Sequence, residues 1–104
     1  MTCTLSNHGR SPTTVRLAGL LDTGADVTII ANYLWPSTWP TEEAGMGVVG
    51  LGGFTRAKIA ATPVPIANPE GQQAVIKPYV MAAPLNLWGR DCLSQWGVRI
   101  ITDF

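Results

Sequence analysis

In the segment Leu20-Leu21-Asp22-Thr23-Gly24-Ala25-Asp26, a carboxylate directly follows an apolar run, and this feature is the most informative in the chain. Two apolar residues place the segment in a core, and a carboxylate follows at once. A carboxylate at the end of a buried run is costly unless it is hydrogen-bonded or used in chemistry. Gly24 permits a tight turn, and the Thr23 hydroxyl can both donate and accept hydrogen bonds. Taken alone, these residues also fit an ordinary turn in which aspartate is a common turn former.

Short apolar runs on either side of this segment are separated by glycine and proline. The chain has 11 Gly and 8 Pro, a pattern typical of an all-β domain with many turns. Val27 to Ala31 is rich in β-branched residues and predicts a strand. Val75 to Met81 is another strand candidate, but Pro78 interrupts it, which indicates an edge or a bulge.

One segment, Asp91 to Trp96, predicts a helix, because Cys92, Leu93 and Trp96 share one face. Gly97 follows it, and a trailing glycine commonly ends a helix. Val98 to Thr102 then returns to strand character.

Composition narrows the class of protein. The 104 residues fit a single domain, 1–104, with 7 basic and 7 acidic residues, so no basic face for nucleic acid is expected. No apolar run reaches the length of roughly 18 residues that a membrane span needs. Met1 to Arg10 lacks the apolar core of a secretory signal, so we expect no secretion by its own signal. Cys3 and Cys92 are far apart and are expected to be reduced, partly buried thiols, with no metal and no cofactor.

Two further landmarks follow in order. Val48-Val49-Gly50-Leu51-Gly52-Gly53-Phe54 is a glycine-rich stretch with strand character, and Leu87-Trp88-Gly89-Arg90-Asp91 precedes the predicted helix. With the segment around Asp22, these landmarks resemble the retroviral aspartic proteases, the retropepsins. The Trp35-Pro36 to Trp39-Pro40 segment and Leu87 to Asp91 look most like the betaretrovirus and alpharetrovirus branches, including endogenous copies.

The resemblance implies a fold and a set of roles. The fold would be an all-β, retropepsin-like closed barrel or sandwich subunit with a flap hairpin and one short C-terminal helix. Asp22, Thr23 and Gly24 would form the catalytic segment, and Arg90 would hold Asp26 in a structural ion pair. Arginine suits this because its planar guanidinium meets a carboxylate in two hydrogen bonds. The predicted substrate-binding residues are Asp26, Val27, Val49, Gly50, Leu51, Leu85 and Leu87.

An aspartic protease needs two carboxylates about 3 Å apart that share one proton. The chain has one Asp-Thr-Gly, and Asp26 matches the position that pairs with arginine. The resemblance therefore implies a homodimer that takes Asp22 from each copy and cleaves viral polyprotein-type peptides between bulky apolar residues. The expected location is the virion or the host cytoplasm, as part of a viral polyprotein.

The N-terminal region departs from the family pattern. Thr2 to Leu5 and Thr13 to Leu21 predict a hairpin, which leaves no residues for the family's N-terminal dimer strand. Either the dimer is weak, or Met1 to Ser6 forms the dimer strand and the hairpin is shortened. A second functional hypothesis follows, a dimerisation or binding module of the same fold with little or no catalysis.

Overall fold

The computed structural model describes the backbone of residues 1–50 and 53–98 and the side chains of residues 1–44 and 57–98. These residues form nine strands, a single-turn 3-10 helix and one α-helix. The elements are β1 Thr2–Ser6, β2 Thr14–Leu21, β3 Ile29–Ala31, the 3-10 helix Asn32–Leu34, β4 Thr41–Gly50, β5 Gly53–Ala60, β6 Val64–Ala67, β7 Gln73–Ile76, β8 Tyr79–Met81, β9 Asn86–Trp88 and α1 Arg90–Gln95. The prediction of a mostly β fold with a short C-terminal helix is confirmed.

The strands form one sheet in the order β4-β5-β8-β3-β9-β2-β1-β6-β7. A single buried apolar cluster contains side chains from β1, β3, β6, β7 and α1, including Ile30 and Ile66. Since β3 and β6 are separated by three strands in the sheet, the sheet must curve over itself to bring these side chains together. This curvature gives the barrel-like core that the family resemblance implied.

The first hairpin forms as predicted. Strand β1 pairs with β2 from Thr2 opposite Ala18 to Ser6 opposite Thr14. The other edge of β1 pairs with β6, where Leu5 lies opposite Ile66. One edge of β1 is thus paired along its whole length inside the subunit, and the other edge is paired at Thr4 and Leu5. The first hairpin is therefore not shortened, which counts against the alternative in which Met1 to Ser6 forms a dimer strand.

The segment between Trp35 and Pro40 is irregular, because each proline restricts the residue before it. Its tryptophans are nevertheless fixed, because the indole of Trp39 donates to the Pro12 carbonyl at 2.8 Å and that of Trp35 to the Trp39 carbonyl at 3.0 Å. The two rings meet edge to face, with centroids 5.3 Å apart. These contacts fix the start of β4, which begins directly after Pro40.

The C-terminal part refines two predictions. Pro78 separates two strands that lie at different places in the sheet, β7 and β8, instead of interrupting one strand. The helix begins and ends one residue earlier than predicted, at Arg90 and Gln95, and Gly97 follows its C-cap with a φ of 74°. Most of the strand predicted over Val98 to Thr102 lies outside the described residues. No helix in the described part of the chain is long and apolar enough to cross a membrane.

Candidate active site

Asp22 lies directly after the end of β2, where β2 runs parallel to β9. Its amide N–H donates to the carbonyl oxygen of Trp88 at 3.0 Å. Its carboxylate oxygen Oδ1 accepts the Gly24 N–H at 2.9 Å, and its carbonyl accepts the Ala25 N–H at 3.2 Å. The side chain is half-buried, while Thr23 and Gly24 are exposed. The structure thus fixes the backbone of the predicted catalytic segment and leaves its surface open.

The loop after Asp22 is attached to the start of α1. The Arg90 N–H donates to the Ala25 carbonyl at 2.8 Å, and the Arg90 guanidinium contacts the Asp26 carboxylate in an ion pair. The two side chains are 59% and 77% exposed, respectively. Water screens such an exposed pair, so within one subunit it contributes little to stability.

A second attachment is buried. The Thr28 hydroxyl donates to Asp91 Oδ1 at 2.7 Å, and the Thr28 N–H donates to Asp91 Oδ2 at 3.1 Å. The same hydroxyl accepts the Gly89 N–H at 3.0 Å. A Cβ on Gly89 would lie 2.9 Å from the Thr28 nitrogen and closer still to the Val27 carbonyl, so glycine is required there.

Strand β9 presents alternate residues to the two faces of the sheet. Asn86 and Trp88 are fully buried, whereas Leu87 is half-buried and Leu85, just before the strand, is 38% exposed. The Asn86 side chain crosses to both neighbouring strands, accepting the Ala31 N–H at 2.8 Å and donating to the Ala18 carbonyl at 2.9 Å. Leu85 and Leu87 therefore share the accessible side of β9, beside the end of β2.

The glycine-rich stretch forms the hairpin of β4 and β5. Its backbone register places Val49 opposite Phe54 and Gly50 opposite Gly53. A bulge interrupts the ladder between Glu43 and Gly47. The predicted roles of the Val49 side chain and of Leu51 lie outside the described residues.

The family model described as retroviral aspartyl protease matches residues 2–101. The chain belongs to the retroviral aspartyl protease family. Among its relatives are the human endogenous retrovirus group K member 8 and member 10 Pro proteins, each 44% identical over 82 residues. That match covers 79% of this chain and 53% of each relative, so the chain spans about half the length of the curated relatives it matches.

A solved structure supports the fold. The EIAV protease complexed with the inhibitor HBY-793 superposes with a TM-score of 0.74 and 22% identity. The match covers 98% of this chain and 90% of that one. The retropepsin-like architecture predicted from the landmarks is therefore confirmed.

An open groove lies beside the predicted catalytic segment of this retroviral-protease domain. It has a volume of about 260 Å³ and is lined by Thr23, Arg90, Leu93, Ser94 and Val98. On the strand that leads to Asp22, Leu20 and Leu21 are 57% and 48% exposed. Successive residues of a strand face opposite sides of the sheet, so each of the two leucines is exposed on a different face.

The cysteines lie in the core, more deeply than predicted. Cys3 and Cys92 are both fully buried free thiols. Burial raises the pKa of Cys3 to about 11 and that of Cys92 to about 12. Both thiols therefore stay protonated near neutral pH, so neither is an activated nucleophile.

Sequence reasoning missed three residues that support the site, namely Thr28, Asn86 and Asp91. Two signals were available. Thr28 is a polar residue inside the apolar run Val27 to Ala31, and Asn86 stands between two leucines in a strand. A polar residue in a buried stretch needs a hydrogen-bonding partner. The sequence did not show which partner each would find.

Proposed function

We propose that this domain is one half of an aspartic endopeptidase and that two copies bring their Asp22 side chains together. One observation carries the proposal. The single Asp-Thr-Gly of a retroviral-protease chain lies half-buried at a strand end, beside the exposed Leu20, Leu21 and Thr23. A site on the two-fold axis of a C₂ dimer would place the two identical carboxylates together.

The chemistry follows from two carboxylates about 3 Å apart, which cannot both ionise and so share one proton. The ionised carboxylate takes a proton from water as the water oxygen attacks the peptide carbonyl carbon. The protonated carboxyl gives its proton to the carbonyl oxygen, which forms a tetrahedral gem-diol. The intermediate collapses when the C–N bond breaks: the protonated carboxyl of the dyad gives its proton to the leaving amine, and the ionised one takes a proton from a gem-diol hydroxyl. A carboxylic acid product and a singly protonated dyad result.

Substrate would bind as an extended strand between the β4–β5 hairpin and the catalytic loop, with backbone hydrogen bonds supplying affinity. Gly24, Asp26, Val49 and Gly50 are the proposed sources of those bonds. Alternate substrate side chains would enter apolar pockets walled by Val27, Leu51, Leu85 and Leu87. The accessible positions of Leu85 and Leu87 support this arrangement, and we infer cleavage between bulky apolar residues.

The proposed partners are a second copy of the chain and a polypeptide substrate. Because the relatives are retroviral Pro proteins, we place the domain within a viral polyprotein, in the virion or the host cytoplasm. Strand β1 pairs inside the subunit along all of one edge and at Thr4 and Leu5 of the other. This observation favours a weak dimer and keeps a second candidate, a binding module of the same fold.

The test is cleavage of an apolar-centred peptide of roughly eight residues at about pH 5. Protein concentration is varied, with Asp22→Asn as the control. We expect activity to rise more steeply than concentration, because separated subunits hold half a site. Equal silence of wild type and variant at every concentration would refute the endopeptidase and leave the binding module.

A further inference from the structure

Thr28 is a fully buried polar residue whose hydroxyl, backbone N–H and carbonyl all form hydrogen bonds. Its hydroxyl donates to Asp91 Oδ1 and accepts the Gly89 N–H. Its own N–H donates to Asp91 Oδ2, and its carbonyl accepts the Tyr79 N–H at 3.0 Å. One residue therefore joins the end of the catalytic loop, the start of α1 and strand β8.

The position of Gly89 makes this network important for the site. Gly89 stands between Trp88, whose carbonyl holds the Asp22 N–H, and Arg90, whose N–H holds the Ala25 carbonyl. The bond from the Gly89 N–H to the Thr28 hydroxyl orients the chain between those two attachments. Displacement of Gly89 would therefore shift both supports of the catalytic loop.

The network also differs from the neighbouring ion pair in burial. Arg90 and Asp26 are mostly exposed in the subunit, whereas Thr28 has no exposed surface. Hydrogen bonds in a low-dielectric interior are stronger, and an unpartnered buried group is more costly. The buried network is thus the larger constraint on the loop before any second copy binds.

We infer that Thr28 is a positioning residue that, with Asp91, orders the catalytic loop within each single subunit. The inference rests on the proposed function only for its consequence for catalysis. The second copy then supplies the other carboxylate to a loop that is already ordered. Preorganisation of this kind acts on the turnover rate, since a small misplacement of a reacting group slows chemistry.

The test compares two substitutions at one position. Thr28→Val keeps the shape but removes the hydroxyl, which leaves the Gly89 N–H without its acceptor. Thr28→Ser keeps the hydroxyl. At protein concentrations that saturate dimerisation, we expect kcat to fall at least about tenfold in Thr28→Val with KM within about twofold. We expect Thr28→Ser to stay within about threefold of wild type in kcat.

A second readout does not need activity. In the Asp22→Asn background, amide exchange at Gly89 and Arg90 is compared between the two variants, with the Trp96 N–H, which donates to the Cys92 carbonyl, as the internal reference. We expect exchange at least about tenfold faster in Thr28→Val than in Thr28→Ser. The exchange measurement tests the role of Thr28 even if the wild-type protein cleaves no peptide. Absence of cleavage would count against the proposed function alone.

Equal exchange and, in an active enzyme, equal kcat for the valine and serine variants would overturn the inference. If Thr28→Val does not fold, Asp91→Ala and Asp91→Asn form the replacement pair. Asparagine can accept the Thr28 N–H and donate to its hydroxyl, so it should restore slow exchange where alanine does not. Equal exchange in those two variants would also overturn it.

Discussion

The amide of Asp22 donates to the carbonyl of Trp88 at 3.0 Å, one residue beyond the last paired position of β2 and β9. The indole of Trp88 reaches the Met1 carbonyl at 3.1 Å, so the same residue also holds the start of β1. The backbone of the candidate catalytic residue is therefore held by the sheet itself. A site supported by a strand is more rigid than one carried by a free loop.

Gly89→Ala should displace this support. The added Cβ would meet backbone atoms of Val27 and Thr28, which have little freedom to move. We expect a loss of about 2–3 kcal/mol in the free energy of unfolding, as for other overpacked sites, and at least a tenfold loss of activity. Urea unfolding checks the first expectation, with exposed Ser94→Ala as the matched control. Stability equal to the control would contradict the account.

The sequence predicted those parts of the site that depend on local chemistry. Asp22, the β4–β5 hairpin and the helix followed by Gly97 each carry a local signal of turn, strand or helix. The supports were missed because they join residues far apart in the chain, as Thr28 and Asp91 do across 63 positions. Hydrophobic pattern identifies a buried residue but not its hydrogen-bonding partner.

The inability of a local pattern to identify partners also explains the incomplete prediction around Pro78. Its presence predicted an interruption, which the structure contains. The pattern could not show that β7 pairs with β6 while β8 pairs with β3 and β5. Strand partners depend on the topology of the whole sheet, which local sequence does not encode.

Arg90→Ala should weaken the self-association of subunits while leaving the stability of the single subunit nearly unchanged. Because the Arg90–Asp26 pair is largely exposed, its loss should change the stability of the single subunit by less than about 1 kcal/mol. Arg90 also lines the groove beside Thr23, so we expect weaker self-association. Urea unfolding at low concentration and sedimentation at high concentration measure the two effects. A large loss of subunit stability with unchanged association would contradict this assignment.

The two buried thiols should make the free energy of unfolding fall as the pH becomes alkaline. In the folded chain their pKa values are raised to about 11 and about 12 from an ordinary 9.0. The unfolded chain therefore loses these protons first, so the stabilisation is complete below about pH 9 and is lost as pH rises toward about 12. Between about pH 8 and about pH 10.5, the urea midpoint should fall more steeply in wild type than in the Cys3→Ala, Cys92→Ala double variant. Parallel slopes would show that the thiols do not contribute.

Subunit mixing tests most directly whether each active site takes one Asp22 from each of two copies. Wild type is mixed with Asp22→Asn at constant total concentration, and peptide cleavage is measured after exchange of subunits. If a dimer needs both aspartates, activity will fall as the square of the wild-type fraction, because mixed dimers are silent. Activity that falls in direct proportion to the wild-type fraction would mean that each chain holds a complete site, which would contradict the account.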